Sequence, residues 1–136
     1  MMIKLAIAFI VYAALEAARE YLFYQFNRAL NFNMRAEDSQ RKAVNVGLFL
    51  LFSGGLAFGF GDNNLMHPTI IMSEAIMWRW LVLDGLLNHF RQLPFFYPGS
   101  TGRSFTDVIQ QKMPLWLRAL VKIGAPIALT ILSLYI

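Results

Sequence analysis

A chain of 136 residues that is 57% hydrophobic and only 15% charged, with a mean hydropathy of +0.49, is too apolar for a soluble domain and reads as an integral membrane protein. The apolar excess excludes disorder. The absence of cysteine excludes a disulfide scaffold, thiolate metal sites, thiol nucleophiles and c-type haem attachment. The net charge of +4 matters less than where each of the 12 Lys and Arg residues stands, because basic residues orient a membrane protein, and no nucleic-acid partner is expected.

Crossing a hydrocarbon layer of about 30 Å takes roughly 20 helical residues, and four apolar stretches approach that length. The predicted fold is therefore all-α, a single transmembrane domain over 1–136 with four helices at about 3–26, 43–60, 69–90 and 115–136. In the first stretch Lys4 precedes the apolar run 5–15, which imitates a signal peptide. Cleavage after Ala14, Ala17 or Ala18 would put Tyr12, Leu15 or Glu16 where a small residue is needed, so the stretch reads as a permanent helix. Tyr12, Glu16, Arg19 and Glu20 fall within one arc of it.

The loop 27–42 holds Arg28, Arg35, Arg41 and Lys42. In the second helix Ser53, Gly55, Ala57 and Gly59 are small residues at four-residue spacing, a pattern that lets a second backbone approach closely. It serves packing inside the protein or a homo-oligomer seam. The connection 61–68 has no Lys or Arg.

The third helix carries most of the polar residues. At about 100° per residue, Ser73, Glu74, Asp84, Asn88 and Arg91 share one arc, and Arg79 lies on the far side. Glu16, Arg19, Glu20, Glu74, Arg79, Asp84 and Asn88 together form an intramembrane polar cluster. A charge at mid-bilayer costs at least about 2.5 kcal/mol, so these groups are expected to face inward and pair. At about 1.5 Å of rise per residue, Glu16 and Arg79 lie at similar depths, as do Arg19 and Asp84, which predicts two ion pairs between the first and third helices. Glu74 has no basic partner in view and is left as a neutral hydrogen-bond donor or a proton site. The cluster is either a structural network that locks the bundle or a site for a polar headgroup, a quinone or a proton. His67 and His89 stand at opposite ends of the helix, about 33 Å apart, which excludes a shared metal or a bis-His haem.

The loop 91–114 holds Arg91, Arg103 and Lys112, and Arg118 and Lys122 are expected to snorkel back toward it from the fourth helix. An aromatic run, Phe95-Phe96-Tyr97, passes into Gly99, Ser100, Thr101, Gly102 and Arg103. Such a turn presents backbone N–H groups and hydroxyls that cradle an anion, and with Arg91 it is the predicted headgroup phosphate site. The alternative is a solvated turn leading into a short interfacial helix near 107–112 that stops before Pro114. The distribution of basic residues places both of these loops in the cytoplasm and both termini outside, in the bacterial inner membrane, with Lys4 dissenting. Trp116, Tyr24, Tyr97 and Tyr135 fall near the predicted interfaces.

Asp84-Gly85, Arg91, Gly99 and Asp107 resemble points in the signature of the CDP-alcohol phosphotransferases. Asn88-His89 stands where that family has Ala-Arg, and Asp107 is the only acidic residue of the loop, so the family's two-metal chemistry does not carry over. The run Arg79-Trp80, Asp84, Asn88, Arg91, Phe96-Tyr97, Gly99, Thr101 and Asp107 resembles small polytopic membrane proteins of bacteria and their phages, which have no assigned function.

The expected role is non-enzymatic: an accessory or assembly subunit of a larger membrane complex, whose partners are membrane lipids and either other membrane subunits or further copies of itself. No catalytic residue, metal or cofactor is expected beyond a bound phospholipid or quinone. A small enzyme or carrier acting on lipid or quinone headgroups through Asp84, Asn88 and Arg91 is the first alternative, and a holin-like lysis protein the second.

Overall fold

The computed structural model describes residues 2–29, 35–60, 66–98 and 105–135. Every regular element among them is helical: α1 (Met2–Ala29), α2 (Arg35–Phe60), α3 (Met66–Phe90), α4 (Phe105–Lys112) and α5 (Leu115–Tyr135). Gln40–Gly59, within α2, and Leu115–Tyr135 are long and apolar enough to cross a membrane.

α1 contains neither Gly nor Pro and is rich in Ala, so nothing in it interrupts the ladder of backbone bonds. α2 begins at Arg35, inside the segment expected to be a loop. Hydropathy marks only the part of a helix that suits lipid, whereas Ala, Glu, Gln, Arg and Lys, frequent over 35–42, extend the same helix beyond it. α3 carries Pro68 in its first turn, where the missing N–H would have had no helical partner. Its end is closed by Leu93 N donating to Asn88 O and Gln92 N to His89 O, both at 2.9 Å, with Gln92 at φ 60°. These are the two bonds of a Schellman cap, with Gln92 where glycine is usual. α4 ends just before Pro114, which cannot continue a helix.

The four long helices lie side by side in alternating directions. Tyr12 stacks on Phe52 and Glu20 bonds Asn45, so α2 runs against α1. Glu16 meets Arg79 and Tyr21 packs on Phe90, so α3 runs with α1. Lys122 meets Asp84 and Ser133 meets Glu74, so α5 runs against α3. α3 packs against α1, α2 and α5.

The apolar core occupies one end of the bundle, where Leu5 and Phe9 meet Phe49, Ala57, Ile71 and Ala75. Tyr12, Phe52, Leu56, Met72 and Trp78 close around them. Polar groups are buried at this level too, where Glu74, next to Ala75, meets α5, and they continue toward the other end.

Candidate functional site

The polar interior consists of hydrogen-bonded clusters, each joining side chains from different helices. In the middle of the bundle Arg79 grips Glu16 with both prongs of its guanidinium, Nε to Oε2 at 2.8 Å and Nη2 to Oε1 at 2.6 Å. Two parallel charge-assisted bonds fix orientation as well as distance. The Phe49 ring covers the guanidinium, its centroid 4.9 Å away.

Arg19 does not pair with Asp84. With Arg79 turned toward α1, a residue five positions on is rotated by about 140°, so Asp84 faces a different neighbour although its depth matches that of Arg19. That neighbour is α5, from which Lys122 donates to Asp84 Oδ2 at 3.1 Å. Lys122 does not snorkel: it is only 2% exposed, with its ammonium 4.9 Å from the centroid of the Trp80 ring. Arg118 also turns inward, donating to the Phe96 carbonyl at 3.0 Å.

Arg19 and Glu20 meet α2 instead. Asn45 accepts from Arg19 and donates to Glu20, and Arg41 forms an ion pair with the same Glu20. Arg41 also lies over the rings of Phe23 and Tyr24.

Glu74 is fully buried and accepts from two hydroxyls of α5, Thr130 Oγ1 at 2.7 Å and Ser133 Oγ at 3.2 Å. Trp78 Nε1 donates to Thr130 Oγ1 at 3.1 Å, so one hydroxyl joins the indole to the carboxyl group. Asn45, Thr130 and Ser133 are partners that residue spacing did not point to. A signal was present in α5, where Lys122, Pro126, Thr130 and Ser133 recur at four- and three-residue steps and so share one face of an otherwise apolar helix.

Asn88 is committed to the chain's own backbone. Its Nδ2 donates to the carbonyls of Phe95 and Tyr97, both at 3.1 Å, and ties the segment after α3 back onto the helix. Gly85 makes the return feasible, because the Phe95 ring rests where a Cβ at this position would stand. Arg91 is exposed at the end of α3, its guanidinium 5.5 Å from the centroid of the Tyr24 ring. The rest of the predicted phosphate cradle, Gly99, Ser100, Thr101, Gly102 and Arg103, lies outside the described residues.

The small-residue pattern of α2 divides in two. Ser53 and Ala57 are buried against the bundle, and Ser53 Oγ returns to the Phe49 carbonyl at 2.7 Å. Gly55 and Gly59 face outward, with no atom within 4 Å of where a Cβ would stand. Among the described residues no group of three or more His, Asp or Glu side chains is placed to hold a metal ion.

No family model matches the chain, and no curated protein sequence or solved structure matches it either.

Proposed function

We propose that this chain is a four-span bundle of the bacterial inner membrane, with both termini outside, acting as a non-catalytic accessory or assembly subunit of a larger membrane complex. The observation that carries the reading is an inside-out distribution of side chains. Glu16, Glu20, Glu74 and Lys122 are buried, while α1 turns Ile3, Ile7, Val11, Leu15, Leu22 and Phe26 outward, each more than half exposed. In water that distribution would be costly on both counts, whereas in lipid it is the favourable one. α1 and α3 carry too much charge to resemble spans by composition. They lie alongside α2 and α5 and bury Glu16, Glu20 and Glu74 between helices, so the same slab accommodates all four.

The subunit role rests on how the interior polar groups are used. Glu16, Glu74, Arg79, Asp84 and Lys122 are engaged between helices, and Asn88 holds a loop, which suits a role in stabilising the bundle. The open face of α2 at Gly55 and Gly59 suits close approach by another membrane helix.

A second reading, a carrier or enzyme acting on quinone or lipid headgroups, is favoured by a cavity of about 470 Å³ between α2 and α3, with Phe49, Met77, Arg79, Trp80 and Asp84 in its lining.

Purification from membranes in mild detergent, with mass spectrometry of everything retained, tests both. Stoichiometric partner chains are the expected result, and a stoichiometric quinone or lipid-derived compound without partner chains would favour the second reading. Recovery of the protein in the aqueous fraction after detergent-free lysis would overturn the membrane assignment itself.

A further inference from the structure

We infer that the groove between α1 and α2 is a binding site for one anionic phospholipid, its phosphate held between Arg19 and Arg41 and an acyl chain lying along α1. The inference rests on the membrane reading above and concerns a site separate from the loop after α3.

Two adjoining concavities carry the argument. The first, about 360 Å³, is lined by Arg19, Phe23, Arg41, Val44 and Asn45. Among the described residues this lining holds two guanidiniums, and the Glu20 carboxylate beside it neutralises one of them, Arg41, so Arg19 carries the net positive charge. A guanidinium is a planar fork of donors that suits phosphate oxygens, and Arg19, which is exposed, spends only Nη2 on Asn45. The amide of Asn45, bonded to Arg19 on one side and Glu20 on the other, fixes the spacing between helices. The rings of Phe23 and Tyr24 beneath Arg41 hold its plane.

The second is a shallow, open trough on the outward face of α1, formed by Leu15, Ala18, Leu22, Gln25 and Phe26, and it shares Arg19 and Phe23 with the first. A basic pocket that opens directly into an apolar trough matches a molecule with an anionic head and a hydrocarbon tail. Depth agrees with this. Arg41 stands in the first turn of the candidate span Gln40–Gly59, where that span meets the headgroup layer. Arg19, opposite Asn45, lies about one helical turn further in, within reach of a phosphate by snorkelling. Basic pockets between membrane helices on the cytoplasmic side are the type of site that binds anionic headgroups. A free phosphate ion would satisfy the guanidiniums but would leave the trough without a role.

The test uses the full chain in nanodiscs of phosphatidylcholine with a graded fraction of phosphatidylglycerol, followed by mild extraction and native mass spectrometry of the retained lipid. The parent should retain phosphatidylglycerol in preference to phosphatidylcholine. Arg19→Gln and Arg41→Gln should each weaken that retention about fivefold, the effect expected of one basic residue near an anionic surface. Arg41→Gln also removes the partner of Glu20, so the decisive variants are Arg19→Gln and Ala18→Trp, the latter filling the trough without changing any charge. Ala18→Trp should reduce retention, and Arg19→Lys should keep part of it. If the protein is embedded in the membrane and yet Arg19→Gln and Ala18→Trp both retain phosphatidylglycerol like the parent, the site is overturned while the membrane reading stands. A loss in Arg91→Gln with none in Arg19→Gln would move the anion to the loop and overturn the assignment. Displacement of the lipid by millimolar inorganic phosphate, with Ala18→Trp silent, would make free phosphate the ligand and overturn it equally.

Discussion

The grip of Arg79 on Glu16 illustrates how single side chains hold this bundle together. Both oxygens of one carboxylate are engaged by one guanidinium, and the carboxylate is buried, so removing either partner leaves an uncompensated charge inside the protein. Arg79→Leu is expected to destabilise the protein by about 3 kcal/mol, and Glu16→Leu in the same chain to recover most of the loss, since replacing both partners is far less costly than stranding one. Thermal unfolding in detergent reads both, and a double variant no better than the single one would contradict the pairing. Gln92 makes the opposite point. It occupies the left-handed position of a helix cap, a conformation that costs a residue with a Cβ about 1 kcal/mol, and its backbone bonds need no side chain. Gln92→Gly should therefore raise stability by about 0.5 kcal/mol after the extra freedom of glycine in the unfolded chain is counted, and a lowered melting temperature would refute this.

At the scale of the helices, the two halves of the small-residue pattern on α2 have different consequences. Ala57 is buried against the core, so Ala57→Leu overpacks it and should cost about 1–3 kcal/mol. Gly55 faces open space, and Gly55→Leu should leave the protomer as stable or raise its stability by about 1 kcal/mol through helix propensity. Comparable losses in the two variants, measured by the same thermal unfolding, would mean that the outward face is packed in the folded protein. Between α3 and α5 the junction is a relay in which Trp78 donates to Thr130 and Thr130 donates to Glu74. Thr130→Val keeps the shape and removes both bonds, and should cost about 1–3 kcal/mol because it strands an indole N–H and weakens the hold on a buried carboxyl group. An unchanged melting temperature would show that Ser133 alone satisfies Glu74.

For the whole molecule, α1 and α3 form the polar centre while α2 and α5 flank them, which is why composition alone marks only the flanking pair as spans. If all four helices cross, cysteines placed at Asn63 and Ser100 should react with impermeant reagents from opposite sides of the membrane. Labelling of both from the same side would rule out the four-span arrangement. The all-helical character and the inward turn of Glu16, Glu20 and Glu74 were legible in the sequence, as was the depth match between Glu16 and Arg79, whereas Arg19, expected inside as well, is exposed. The partners of Glu20, Asp84 and Glu74 were not legible, because each depends on the rotation of one helix against another, which residue spacing does not specify.

The residues alone dictate whatever follows from one helix at a time. An apolar stretch about as long as a membrane is thick must form a helix, because its backbone has no other partner in lipid, and a charge within it must turn away from the hydrocarbon. Those constraints are local. Which charge meets which was decided only by tertiary structure. Helical periodicity orders the side chains around each axis, but it leaves undetermined the rotation of each helix against its neighbours, and an ion pair requires depth and rotation to agree together. Arg79 and Asp84 stand about 140° apart on α3, and the rotation that packing gives α3 turns Arg79 to α1 and Asp84 to α5.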